Sequence, residues 1–183
     1  MMEAARMIAK SGAKPKRTIL FIGFAGEEFG LLGAQAWVKA HKDKLPKIAN
    51  LFNRDGGPDP PVGISVPQAM YDDFVKISEP IQKIRPDYPF EVKVREPRKR
   101  PTRMGGTDAS VFAIEGVPTL GFTTEDFKGY DFDYGEIWHT ERDLYTKNIP
   151  EYQEHTATVT AIIALGVANL DKQLSREGLY TEE

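Results

Sequence analysis

The chain has 183 residues, 24 Lys and Arg against 27 Asp and Glu, and a net charge of −3, which offers no global field toward nucleic acid or an anionic membrane. With 40% hydrophobic residues there is apolar material for one sizeable core, and no stretch approaches the 18 or so apolar residues of a membrane span. The absence of cysteine excludes disulfides and thiolate metal sites while leaving the compartment open.

Taken in chain order, helical and extended patterns alternate. Residues 1–11 read as a helix ended by Ser11 and Gly12, with a basic turn at 14–17. Residues 18–24 are a continuous apolar run with β-branched and aromatic members, the pattern of an interior strand. A helix is expected over 30–41 and a strand over 48–53, after which Pro58, Pro60 and Pro61 break the chain. Residues 63–66 read as a short strand, and 68–84 as a helix kinked or broken at Pro80. Alternation over 90–94 predicts a half-exposed strand near a sheet edge. Thr107 is the expected cap of a helix through Ile114, and 119–123 a further strand. In the last helix Val159, Ile162, Ile163, Gly166, Val167 and Leu170 form one stripe. The pattern predicts one α/β domain over 1–174, a three-layer α/β/α sandwich around a mostly parallel or mixed sheet, and a frayed polar tail over 175–183.

The adjacent acids Glu27 and Glu28 follow directly on the 18–24 run. Each disfavours ionisation of the other, and a bound cation is one way to offset that. Both acids also suit the positive end of the following helix on purely structural grounds. Asp55 ends a second short apolar stretch before Gly56 and Gly57, and His139 follows Trp138. Glu, Asp and His together suit zinc, with manganese or cobalt as substitutes. Carboxyl ends of strands are where open α/β sheets collect their sites. Singly, Asp55 reads equally well as a turn acid and His139 as a satisfied buried histidine. Jointly with the Glu pair they favour a metal site.

Residues 25–34, Ala-Gly-Glu-Glu-Phe-Gly-Leu-Leu-Gly-Ala, resemble the Glu-Glu-x-Gly-Leu signature of the co-catalytic zinc aminopeptidase and carboxypeptidase Q-like family. Residues 105–112 followed by Gly116-Val117-Pro118, and the His139–Asp143 segment, resemble further family segments in the same order. The resemblance spans residues 1 to about 172. It implies a zinc-exopeptidase fold, a peptide substrate and two zinc ions in the complete enzyme. Carried over, Glu27 is the general base, Glu28 and His139 hold one metal, Asp55 holds the other, and Asp108 either supports the site or caps its helix. A periplasmic or extracellular location is likewise expected from the resemblance alone.

The family also uses a His-x-Asp segment and a bridging Asp upstream of the Glu pair. Here the histidines are His41, His139 and His155, and the first Asp is Asp43. The expectation is therefore an N-terminally truncated, C-terminal portion of a metallopeptidase, with partial or no zinc occupancy and little activity alone. A non-catalytic peptidase-like interaction module and a single-zinc glutaminyl cyclase-type acyltransferase remain as alternatives. The basic residues Arg95, Arg98, Lys99, Arg100 and Arg103 lack interleaved aromatics, so a solvated loop is expected rather than a nucleic-acid surface, with neutralisation of a substrate carboxylate as its use in the peptidase reading. The aromatic, acidic run 127–134 fits either a pocket wall or packing over the sheet edge. His41 and His155 read as exposed and without a role. Oligomeric state is undetermined.

Overall fold

The computed structural model of the chain describes residues 1–181. Its elements are α1 (Met2–Lys10), α2 (Leu32–Ala40), β1 (Pro61–Val66), α3 (Tyr71–Ile84), β2 (Glu91–Val94), α4 (Ala109–Ile114), β3 (Phe122–Thr124), α5 (Tyr134–Ile137) and α6 (Pro150–Asn169). From α2 to α5 helices and strands alternate, and the chain adopts the expected α/β class. The sheet is mixed, in the order β2-β1-β3, with β1 parallel to β2 and antiparallel to β3. β2 is an edge, which is why its residues are mostly exposed. α3 runs on through the exposed Pro80 to Ile84, so proline does not break it. Pro150 opens α6, where its missing N–H has no intrahelical partner to lose.

Two apolar clusters hold these elements. In the larger, Ile64 and Val66 of β1 meet Phe74, Ile77 and Ile81 of α3 and Val159, Ile163 and Val167 of α6. Full burial of each such side chain is worth about 1.5–3 kcal/mol. In the smaller, Leu31, Ala34 and Val38 of the α2 region pack on Val111 and Phe112 of α4, with Leu45 and Val117. α1 lies against α6. Gly166 lets α6 approach α3 closely, since a Cβ there would overlap Ile77.

Several expectations fail for identifiable reasons. Residues 18–24 join no strand, and Leu20 is exposed. Their apolar pattern is that of a strand, but a ladder needs a neighbouring strand, and among the described residues none pairs with them. Residues 48–53 run beside 118–122 without forming a ladder. One backbone bond joins them, from the Leu51 N–H to the Pro118 carbonyl at 2.9 Å, and beside it the Asn50 side chain accepts from the Leu120 N–H at 2.9 Å and donates to the Leu120 carbonyl at 3.2 Å. Thr107 does not cap α4. The N-cap position belongs to Asp108, whose side chain makes no capping bond.

The segment after Leu174 does not fray as far as it is described. Leu174 and Leu179 are buried in the larger cluster, and Tyr180 bridges to Arg98. The rest of the expected tail, residues 182–183, lies outside the described residues. His155 is fully buried, stacked on Tyr88 with ring centroids 3.9 Å apart. His41 is half-buried, stacked on Trp37 at 4.4 Å.

Candidate metal centre

The Glu pair sits in a tight turn entering α2. The Glu27 carbonyl accepts from the N–H groups of Gly30 and Leu31 at 3.0 and 2.8 Å, and the Gly26 and Ala25 carbonyls accept from Leu32 and Gly33. Gly33 is required here, because a Cβ would stand 2.7 Å from the Ala25 backbone. Leu31 closes the turn in the left-handed region, φ 61°, an uncommon state for a leucine held by burial of its side chain. The turn thus leaves both carboxylates at the mouth of an open groove of about 330 Å³. Its other walls are Gly30, Leu31, Met104, Gly105 and Gly106.

His139 comes to the same place from the far end of the chain. Its Nε2 lies 3.1 Å from Glu28 Oε2. The residue is itself left-handed, φ 57°, at the end of a turn in which Thr140 N–H bonds the Ile137 carbonyl. Trp138 lies beside the imidazole, centroids 4.7 Å apart, and both residues remain exposed.

Three carboxyl groups here are held above the ordinary carboxylate range. For Glu27 the larger cause is desolvation, followed by repulsion from Glu28, Asp55 and Asp108, with His139 opposing. Asp55 is raised by desolvation and then by Glu28, and Asp108 by desolvation and then by Asp55. Each therefore feels at least one neighbouring carboxylate, and the site is an accumulation of like charge. Asp108 stands at the N-cap of α4 without a capping bond, and its Oδ1 is buried without a hydrogen-bond partner.

All five residues singled out from the sequence fall in one neighbourhood, but only Glu28 and His139 touch. Two donors of a tetrahedral zinc with bonds of about 2.0–2.1 Å stand roughly 3.3 Å apart, so the Glu28–His139 separation fits a shared ion. Among the described residues, no group of three or more His, Cys, Asp or Glu side chains is arranged to hold a metal. The residues present fit zinc in kind and in the spacing of one pair, not in number. The groove walls at Leu31 and Met104 were not anticipated from the sequence. The only cue was that Met104 directly precedes the Gly105-Gly106 turn.

The family model for peptidase family M28 matches residues 1–163. The chain belongs to peptidase family M28. The match places the chain in a family of zinc metallopeptidases. Among curated relatives, mouse carboxypeptidase Q is 24% identical over 179 residues, which is 95% of this chain and 34% of that protein. A probable zinc metalloprotease of Phaeosphaeria nodorum is 44% identical over 54 residues, 30% of this chain and 10% of that protein. The crystal structure of a peptidase M28 precursor from Shewanella amazonensis superposes with a TM-score of 0.72 at 26% identity, covering 94% of this chain and 36% of that one. The M28 chain described here thus spans about a third of the length of the curated relatives that it matches over most of its length.

Proposed function

We propose that the protein carrying these residues is a zinc-dependent exopeptidase of the aminopeptidase or dipeptidase type. The observation that carries the reading is the pairing of Glu28 with His139 at 3.1 Å beside the free carboxylate of Glu27, at the mouth of a groove. Glu28 and His139 would hold one zinc and Asp55 a second, with Asp108 close enough to Asp55 to feel its charge. Zinc, when bound, supplies Lewis acidity toward the peptide carbonyl and the attacking water. With zinc bound, Glu27, next to the ligand Glu28 and itself in no ion pair among the described residues, would take the proton from the attacking water and return it to the leaving amine. Met104, exposed at the groove, offers apolar contact to the substrate, and Gly105 and Gly106 leave room for its backbone.

Two donors do not complete a zinc shell, and the relatives are about three times as long. The reading therefore has the remaining ligands supplied from outside these residues, with partial or no zinc and little hydrolysis by the 183-residue chain alone. It also puts the protein in the periplasm or outside the cell, on family likeness alone.

The test is zinc content and hydrolysis of dipeptides and aminoacyl substrates by the full-length polypeptide. Chelator-sensitive turnover should fall about 10²–10⁴-fold in Glu27→Ala while zinc content holds, the scale of a lost general base. No hydrolysis and zinc near zero would replace the peptidase reading with a non-catalytic interaction module. Appreciable chelator-sensitive turnover by the 183-residue chain alone would overturn its incompleteness.

A further inference from the structure

His139 and Asp55 reach the Glu pair on irregular segments, and the structure shows what could hold those segments in place. Between β3 and His139 the chain makes a long aromatic loop, anchored at its first turn by one buried side chain of α6. Tyr152, fully buried, donates its hydroxyl to Asp126 Oδ1 at 2.5 Å and accepts the Lys128 N–H at 3.0 Å. Asp126 Oδ1 also accepts the Tyr130 N–H at 3.1 Å, so the bonds close the 126–130 turn onto the helix. The neighbouring Glu151 binds Lys128 Nζ at 3.0 Å and the Tyr130 hydroxyl. The Phe127 and Tyr130 rings pack on Tyr152, centroids 6.2 and 5.2 Å away.

From that anchor the loop reaches both sides of the site. Asp133 caps α5 by accepting the Gly135 N–H at 2.8 Å, and α5 leads directly to Trp138 and His139. Phe132 and Tyr134 lie against Gly57, two residues beyond Asp55. A Cβ on Gly57 would stand 3.1 Å from Phe132 and 3.0 Å from Tyr134, at a φ of 75° that disfavours any side chain. One loop therefore touches the Asp55 turn in its middle and delivers His139 to Glu28 at its end.

We propose that Tyr152, through Asp126, is a positioning residue that sets His139 against Glu28, and that Gly57 is the contact through which the same loop fixes the Asp55 turn. The proposal deepens the peptidase reading by naming what orders its ligands. The geometry itself requires no metal.

The first measurement is NMR of the 183-residue chain without metal, comparing wild type with Tyr152→Phe. The phenylalanine keeps the ring and loses the two hydroxyl bonds, so amide exchange at Lys128 and Tyr130 should accelerate about tenfold, the effect of losing one net hydrogen bond. The ring signals of His139 should shift, while those of His41, stacked on Trp37 away from this loop and from α6, stay in place. His139 signals unmoved despite faster exchange at Lys128 would overturn the proposal. So would equal shifts at His139 and His41, which report a general loosening of the fold. Should Tyr152→Phe fail to fold, Gly57→Ala presses on the same loop from the opposite side. It should move the His139 signals and leave those of His41 unchanged, and stationary His139 signals there would count equally against the idea. If the signals shift as expected but the full-length protein proves to have neither zinc nor activity, the positioning stands and the peptidase reading falls.

Discussion

The two histidines of the C-terminal half show how far residue identity is from residue role. By sequence His139 suits either a ligand or a satisfied core ring and His155 an exposed one, yet His139 faces a carboxylate and His155 is sealed in the core. His155 Nε2 lies 3.0 Å from the Pro61 carbonyl and its Nδ1 is buried without a partner, which is the arrangement of a neutral ring. Burial pushes its pKa below the ordinary value of 6.5, with Arg85 and Lys128 adding to the effect and the Pro61 and Asp87 contacts opposing it. Below pH 6.5 the unfolded chain takes up a proton that the folded chain resists. The neutral ring's contribution is thus fully present above that pH and is lost as the pH falls toward the folded value. Thermal melts at pH 7.5 and 5.5 should show a fall in stability of at most about 1.4 kcal/mol per pH unit from this group. His155→Gln, which can still donate to the Pro61 carbonyl, should lose that part of the slope, and an unchanged slope would assign the acid sensitivity elsewhere.

Among the elements, α6 was legible from its apolar stripe through Val159, Ile163 and Val167, although it also buries Ala157, Thr158 and Ala161 on a further face, and in α3 Phe74, Ile77 and Ile81 share one buried face. Their closeness was not legible. In an exposed helix, replacing glycine by alanine stabilises by up to about 1 kcal/mol. At Gly166 the sign reverses, because the new methyl group would overlap Ile77 across the interface. Gly166→Ala is expected to destabilise by about 1–3 kcal/mol in denaturant unfolding, the range for overpacking a filled core. Ile77→Ala, which removes the clashing Cγ1 and Cγ2, should therefore cost less beside Gly166→Ala than in the wild type, and strict additivity of the two changes would rule out the clash. The runs 18–24 and 48–53 failed for the complementary reason. Their composition is that of strands, but a strand exists only as one side of a ladder, and the Asn50 side chain occupies the position where a ladder bond would form.

For the molecule as a whole, the C-terminal segment matters more than its polarity implied. Arg176 donates to the carbonyls of Gly116, Ile48, Pro46 and Leu45 at 3.1–3.4 Å, and so ties the chain's end to the segment that leads to Asp55. Leu174 and Leu179 on either side of it fill the larger core. Arg176→Ala should cost about 1 kcal/mol, a modest value for charge-assisted bonds at an exposed site. It should also speed proteolysis within 175–181, whereas the exposed Lys172→Ala should change neither. Equal behaviour of the two variants would mean that the segment is held by its leucines alone.

What the sequence determined by itself was local and periodic. It covered the α/β class, the helices with strong stripes, and five candidate site residues with their chemical kinds. That much follows because amphipathic period and residue type are properties of neighbours along the chain. The tertiary structure alone decided which candidates meet, with Glu28 and His139 in contact and Asp108 left without a partner. It alone placed His155 in the core, packed the C-terminal segment, and ran the Tyr152-anchored loop from the Asp55 turn to His139. These depend on contacts between residues tens of positions apart, which packing and hydrogen-bond satisfaction choose only when the whole chain is folded.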